Sequence, residues 1–454
     1  MKQRIATLLA AGVFGGAGED ADRTVARILD ASLVEAASVG VSRLKIDAVA
    51  RRAGVNRTTV YRRFGDLDGL IAALTLREGG RMADTIFRAV EGVRDPRPSS
   101  RTSKRERHTM SSHDAVVPHE DYGFFGPDSV SWKVFRYPTA LSIGFQRTVV
   151  TEMYEPFLLA SVNDTGAVSK RPSLRYDRTL QYMATVTFGD SHSVLKASDI
   201  LVKIHSKITG TEPISGLRYD ANDPEAQLWI HLTAWHSVLY TYEKFGPGKL
   251  SPEEENQYWA ECARAAEFQT INLDDVPRSR AQMRAYYERM RPILAATEAT
   301  QQHVEQLLNS ASAPLPDSVL LWPVAKLTQG LFRRATIASL PRWMRKMGGV
   351  QQSPVTDALA TVALQILFRL VAQSVEAQRL IVRMGSPLSS PVLDPILCEV
   401  APKNPVVWSP EEARVHYGMV RPAEQYAQIR AARAAKSLPE HAAVDGSEPL
   451  LAFG

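Results

Sequence analysis

The sequence predicts an all-α protein in two parts: a small helix-turn-helix domain followed by a large multi-helix domain. Three observations lead there. Long segments carry apolar residues at three- and four-residue spacing. No segment shows the sustained alternation of a half-buried strand. At 454 residues the chain is too long for one ordinary domain and comfortable for two.

Residues 1–21 read as a disordered arm or a leading helix. Lys2 and Arg4 followed by an apolar run resemble the start of a weak signal peptide, but the motif behind them argues against export. From 22 to 93 the pattern is that of a compact helical domain. Val25, Ile28, Leu29 and Leu33 form a helical stripe. The stretch Ile46–Phe64 then reads as two short helices with a tight turn at Gly54–Val55. Gly54 sits where a left-handed backbone ends a helix most cheaply. Asn56 is a good N-cap, since its side-chain oxygen can accept from amides of the next turn. The second helix carries Arg57, Thr58, Thr59, Tyr61, Arg62 and Arg63, which suit phosphates and base edges in a DNA major groove. An ordinary helical hairpin with a solvated basic face is the alternative.

From about Asp22 to about Gly80 these residues resemble the TetR family of bacterial regulators. Ala50, Ala53, Gly54, Val55, Thr59, Tyr61 and Phe64 carry the likeness, and Leu70, Ile71 and Leu74 begin a fourth helix. The resemblance implies DNA binding through the second helix and through Lys45. Lys45 stands near a place usually held by a capping Ser or Thr, and Leu67 replaces a common lysine.

Charge supports this division. Residues 1–109 hold 20 Lys/Arg against 13 Asp/Glu, and the remainder holds 34 against 36, within an overall net charge of +5. Basicity therefore lies where attraction to phosphate is useful. Cys262 and Cys398 are the two cysteines, which excludes a disulfide framework and a four-thiolate zinc site and fits a reducing cytoplasm. No long uncharged apolar run predicts a transmembrane helix, because Ala358–Val375 is interrupted by Arg369. Residues 94–124 are a basic, Pro/Ser-rich linker. Met110 lies within it like the natural start of an independent protein, so the seam reads as a fusion.

The large domain, 125–433, precedes a tail at 434–454. Helices are expected over Arg178–Phe188, Ser193–Ile208, Pro224–Phe245, Pro252–Phe268, Ser279–Ala299 and Thr356–Arg383. Loops are expected at Gly210–Asp223 and Pro387–Pro410. If Arg175–Val186 is helical, Arg175, Arg178, Thr179 and Tyr182 share one face, which is not a plain core stripe. Those arginines could instead bridge acids such as Asp190 or Asp223. Leu201, His205 and Ile208 share a face of the next helix, so His205 points inward and needs a hydrogen-bond partner or a metal. His231 is its rival. His236, five residues on, is off that face and makes no zinc pair with it. His113 and His119 are expected to be solvated.

The motifs Ser129–Pro138, Arg175–Asp190, Val202–Gly210, Tyr219–His231 and Tyr258–Arg264 resemble the oxygenase family that includes the rubber-cleaving latex-clearing proteins and the fungal MpaB protein. Coverage runs from about Phe125 to Arg433. The resemblance implies haem b, with His205 as axial iron ligand; His231, its rival, is the other candidate cofactor-binding histidine, as a residue supporting the ligand from behind or a structural one. Arg175, Arg178 and Thr179 would line the distal pocket. Arg178 stands where the rubber-cleaving members have lysine. A guanidinium stays protonated and cannot be a nitrogen ligand to iron, so the distal side would be open to dioxygen or water.

No dinucleotide fingerprint, P-loop, HExxH motif or Ser-His-Asp set appears. The sequence thus implies a cytoplasmic fusion of a TetR-like DNA-binding domain to a haem-dependent oxygenase-like domain. That domain would act with dioxygen on an apolar, isoprenoid or lipid-like molecule, and the helices from Val355 to Met384 are candidates for an apolar channel. The rival is a transcriptional regulator whose large domain senses haem or a hydrophobic ligand without catalysis. A homodimer follows from a motif that reads half a palindrome. A third possibility is a vestigial N-terminal part, with Met110 as the functional start.

Overall fold

The computed structural model describes residues 19–39, 44–67, 69, 70, 73, 77, 116–165, 172–310 and 322–435. The seam around Met110 and most of the expected fourth N-terminal helix lie outside them. Nineteen α-helices occur among the described residues, with one two-stranded sheet. The chain divides into two compact units, Met1–Gly92 with Leu315–Thr328 and Val93–Pro314 with Gln329–Gly454.

The small unit contains α1 (Glu19–Val39), α2 (Ile46–Ala53) and α3 (Arg57–Phe64). Gly54 ends α2 at φ +62°, its N–H returning to the last turn, and Arg27 Nη2 donates to the Ala53 carbonyl at 2.6 Å. Asn56 starts α3 as expected, accepting from Thr58 N at 3.1 Å. Lys45 occupies the N-cap of α2 without a side-chain cap, so that end lacks the usual hydroxyl contact. Ile28, Leu29, Val49, Ala53, Val60 and Phe64 close the core. Val60 and Phe64 turn α3 inward on one side, which leaves Arg57, Thr58, Tyr61, Arg62 and Arg63 exposed and Thr59 half-buried.

The large unit is built around a buried helix. Before it come α4 (Val130–Arg136), a π-turn at Ala140–Gly144, α5 (Phe145–Glu152), α6 (Pro156–Thr165), α7 (Pro172–Phe188) and α8 (Ser191–His205). A hairpin of β1 (Thr209–Thr211) and β2 (Arg218–Asp220) leads into α9 (Pro224–Phe245). Asp223 caps α9 by accepting from Glu225 N and Ala226 N, with Pro224 in the first turn. Trp229, Leu232, Trp235, Val238, Leu239, Tyr242 and Phe245 are all buried on it. A helix apolar on most sides belongs in the middle of a core. Gly144 lets the π-turn approach it: a Cβ there would lie 2.9 Å from Thr241 Oγ1 and 3.3 Å from Val238 Cα.

Then follow α10 (Pro252–Ala265), α11 (Arg280–Met290), α12 (Glu298–Ser310), α13 (Trp322–Ser339), α14 (Arg342–Met347), α15 (Pro354–Ala372), α16 (Val375–Gly385), α17 (Ser390–Leu397), α18 (Pro410–Tyr417) and α19 (Pro422–Ala435). Helix α15 is long and apolar enough to cross a membrane by length and composition. It buries Ala360, Leu364 and Phe368 but exposes Val355, Leu359, Val362 and Ile366. These four therefore face away from the core rather than into a channel.

Several expectations need correction. The loop Gly210–Asp223 contains β2 and part of β1, strands too short to display alternation. The helix expected over Ser279–Ala299 stops at Met290. The one expected over Thr356–Arg383 is two helices, parted at Gln373–Ser374, where Ser374 caps α16. Pro387–Pro410 includes α17. His119 is half-buried rather than solvated, with Nε2 2.9 Å from the Val392 carbonyl. Its segment hydrogen-bonds through backbone to residues 403–408, so residues assigned to the linker from Val116 onward are part of the large unit.

Candidate functional site

Helices α5, α7, α8, α9 and α11 bring ionisable side chains into the interior of the large unit. Glu152 is the last residue of α5. Burial raises its carboxyl to about 8, against smaller opposing effects from the Thr233 hydroxyl and the Arg175 charge. Thr233 Oγ1, from α9, lies 3.3 Å from Glu152 Oε1. Arg175, on α7, is itself lowered, first by burial, with Glu152 pulling the other way. Its Nη1 donates to Thr165 Oγ1 at 3.5 Å.

His205 is the last residue of α8. Burial and then the Arg175 charge lower it to about 4, so the imidazole is neutral at pH 7. Its Nδ1 lies 3.0 Å from Gln227 Nε2, which also donates to the Ala221 carbonyl. With Nδ1 accepting from Gln227, Nε2 carries the proton. A lone pair on Nε2 needs the proton on Nδ1, and with it the Gln227 amide turned so that its oxygen faces Nδ1. Arg433 of α19 donates to the carbonyl of Ser206, the next residue, and so fixes the end of α8.

One turn further along α9, Arg147 is buried and donates to Ser237 Oγ at 2.6 Å and to the Ser339 carbonyl at 3.3 Å. Its guanidinium lies 4.8 Å from the Tyr240 ring centre. His236 Nδ1 is 3.4 Å from Arg147 Nη1. Burial and then the Arg147 and Arg280 charges push that imidazole well below its usual value. Its ring is 4.9 Å from that of Tyr287, whose hydroxyl is raised by burial, with the Arg147 charge opposing.

Glu152, Arg175, His205, His236 and Tyr287 are all displaced by burial, yet each keeps part of its surface accessible. Leu201, Ile204 and Ile208 beside His205 are likewise only half-buried.

The predicted residues fall as follows. Arg175 and His205 lie close enough for the charge of one to shift the other. Arg178 is half-buried one turn along α7. Thr179 is exposed and returns its hydroxyl to the Arg175 carbonyl at 3.0 Å. Asp190 and Asp223, the acids considered for these arginines, serve as helix caps. His231 is buried, with Nε2 2.9 Å from the Cys262 carbonyl and 3.4 Å from its sulfur, in the contact between α9 and α10. Burial lowers it to about 4. Glu152, Arg147 and Tyr287 escaped the sequence reading. For Glu152 the available signal was a lone acid closing an apolar turn.

No group of three or more His, Cys, Asp or Glu that could hold a metal occurs among the described residues. The interior site therefore does not suit a bare ion held by side chains. A metal that brings its own equatorial ligands needs only one neutral imidazole. The neutral imidazole of His205 meets that need through Nε2 when Nδ1 carries the proton.

The family model described as ER-bound oxygenase mpaB/B'/Rubber oxygenase, catalytic domain, matches residues 132–375. A second, for bacterial regulatory proteins of the tetR family, matches residues 28–74. No curated protein and no solved structure matches the chain.

Proposed function

The chain belongs to the ER-bound oxygenase mpaB/B'/Rubber oxygenase catalytic-domain family, and on that premise we propose that its large domain is a haem-b-dependent oxygenase for an apolar, isoprenoid or lipid-like substrate. The observation carrying this reading is His205: a desolvated imidazole, neutral at pH 7, beside Gln227 and close enough to the Arg175 guanidinium to be lowered by its charge. His205 Nε2 would hold the iron. Haem, when bound, supplies an iron centre that activates dioxygen for insertion into a C=C bond. Arg175 is a buried cation, and the acid whose charge it feels, Glu152, is largely protonated at pH 7. It would be available to an anionic group of a bound cofactor or to an oxygen atom of a bound molecule. Arg178 and Thr179 would extend that polar face. Glu152 can hold and release a proton near neutral pH. His231 would support the cofactor side indirectly, by tying α9 to α10.

The fused TetR-like domain gives this reading its second half. We assign it DNA binding through Lys45, Arg57, Thr58, Thr59, Tyr61, Arg62 and Arg63, as a homodimer in the cytoplasm. The exposed face of α3 also favours a second reading, a regulator whose large domain senses haem or a hydrophobic ligand without turnover.

An absorption spectrum of protein expressed with adequate haem tests the first reading. A Soret band lost in His205→Ala is expected. No band in the wild type, or an unchanged band in the variant, overturns the iron assignment. If haem-loaded protein forms no oxygenated product from squalene under dioxygen while haem alters DNA affinity, the regulator is the better reading.

A further inference from the structure

Helix α15 is apolar on both of its faces. The inner face buries Ala360, Leu364 and Phe368 against Ile143, Phe245 and Ala335. On the outer face, every exposed position from Val355 to Phe368 holds an apolar residue: Val355, Ala358, Leu359, Val362, Ala363 and Ile366. The four large ones, Val355, Leu359, Val362 and Ile366, are 67, 68, 55 and 57% exposed. Polar side chains between them are turned to their own fold. Asp357 accepts from Arg345 Nη1 at 2.7 Å and from Gln352 Nε2 at 2.6 Å. Thr361 donates to the Asp357 carbonyl at 2.7 Å, and Gln365 to the Lys244 carbonyl at 2.9 Å. A monomer rarely leaves a contiguous apolar face of this kind in water.

The pattern of the face indicates what covers it. Its large residues are spaced four, three and four apart, the repeat of a helix that packs along another helix. From Val355 to Phe368 the exposed positions carry no charge, so the covering surface must be uncharged as well. A second α15 meets that condition when it lies antiparallel about a two-fold axis between Val362 and Ala363. Leu359 of one copy then faces Ile366 of the other, Val355 faces Leu370, and Val362 faces Ala363. Each pairing occurs twice, as an interface between identical surfaces requires. A parallel pair would set the exposed Arg369 against itself, whereas the antiparallel pair sets it across from Thr356. A helix lying in a membrane surface is rich in Lys and Arg on its polar side. Arg369 is the single basic residue of α15.

We propose that the outer face of α15 docks a second copy of this chain, helix against antiparallel helix from Val355 to Leu370. A helix-turn-helix that reads half a palindrome needs such a partner. The pairing itself rests on α15 and holds whether or not the small unit binds DNA.

Sedimentation equilibrium of the full-length protein, over a hundredfold range of concentration and without DNA, should show a dimer. Val362→Lys and Ile366→Lys alter exposed positions, so their thermal melts should match wild type while the dimer dissociates at least tenfold more readily. Cysteine variants test the register. Val362→Cys lies beside the axis and should give a disulfide-linked dimer under mild oxidation. In Val355→Cys the two thiols would sit about 22 Å apart along the helices, at a rise of about 1.5 Å per residue. A disulfide needs Cα atoms within about 7 Å, so this variant should link no more than wild type, which retains Cys262 and Cys398. A dimer unchanged by both lysine variants overturns the proposal, and equal linking of the two cysteine variants overturns the antiparallel pairing. A monomeric wild type also overturns it. If that monomer floats with phosphatidylcholine vesicles and Val362→Lys does not, the face serves a lipid surface instead.

Discussion

Thr233 Oγ1 stands 3.3 Å from Glu152 Oε1 and 2.9 Å from the Ile230 carbonyl, which joins the end of α5 to the middle of α9. A hydroxyl has one proton for two acceptors. If it is spent on the Ile230 carbonyl, a protonated Glu152 can donate into the free lone pair of Thr233. The neutral form of Glu152 is thus satisfied by the same hydroxyl that an ionised form would compete for.

Glu152 should make stability fall with rising pH. Its folded value, about 8, lies above the ordinary 4.5, so the native state holds a proton that the unfolded chain has released. The favourable contribution is complete below about pH 4.5 and is lost as pH rises through 8, with a loss on the order of several kcal/mol. Glu152→Gln should remove that slope and raise Tm relative to wild type above pH 8, as thermal melts across pH 5–9 would show. Parallel curves for the two proteins would refute the assignment.

His231 should act in the opposite direction. Its folded value is depressed to about 4, so the unfolded chain binds a proton first. Stability is full above about 6.5 and is lost as pH falls through 4, by about 3 kcal/mol. His231→Gln removes the titration while keeping a donor near the Cys262 carbonyl. Urea midpoints from pH 7 to 4 should fall less steeply in the variant.

Gly144→Ala should destabilise the large unit by about 1–3 kcal/mol, the usual range for forcing a carbon into a packed contact. The added carbon would meet Val238 backbone at 3.3 Å and the Thr139 carbonyl at 3.1 Å, neither of which can swing aside as a side-chain tip does. Chemical denaturation monitored by tryptophan fluorescence would detect it. A change under about 0.5 kcal/mol, the size of an ordinary surface substitution, would contradict the packing argument.

DNA binding should weaken with salt, and Arg62→Ala should lower the slope of log K against log salt by about 0.9 if it contacts one phosphate. Arg57 needs separate treatment, because it lies 3.5 Å from Asp47 and over the Tyr61 ring. Fluorescence anisotropy of the full chain on a generic duplex, at several salt concentrations, measures both. Identical slopes for wild type and Arg62→Ala would remove Arg62 from the interface.

Local chemistry made the small unit readable. Gly54 and Asn56 act within a few residues of themselves, so their roles as stop and start appear in the sequence. Pro224 and Asp223 announce α9 in the same way. The break at Gln373–Ser374 was less visible because apolar spacing continues across it, and the hairpin was hidden by strands of three residues each. His205 was marked by its place on an apolar helix face. Its partners were not, since Gln227 is 22 residues away and the Glu152–Thr233 contact spans 81. Such pairings depend on how helices cross, which no local pattern encodes.

Gly144 has a reach beyond its own packing. Helix α5 begins at the residue after it and ends at Glu152, two turns later. The lack of one methyl group lets this helix lie against α9, and that closeness brings the Glu152 carboxyl to Thr233 and away from water. The acidity of one side chain is in this sense inherited from an atom that another residue does not have. A lineage altering position 144 would retune the proton affinity of the interior without touching a single ionisable group.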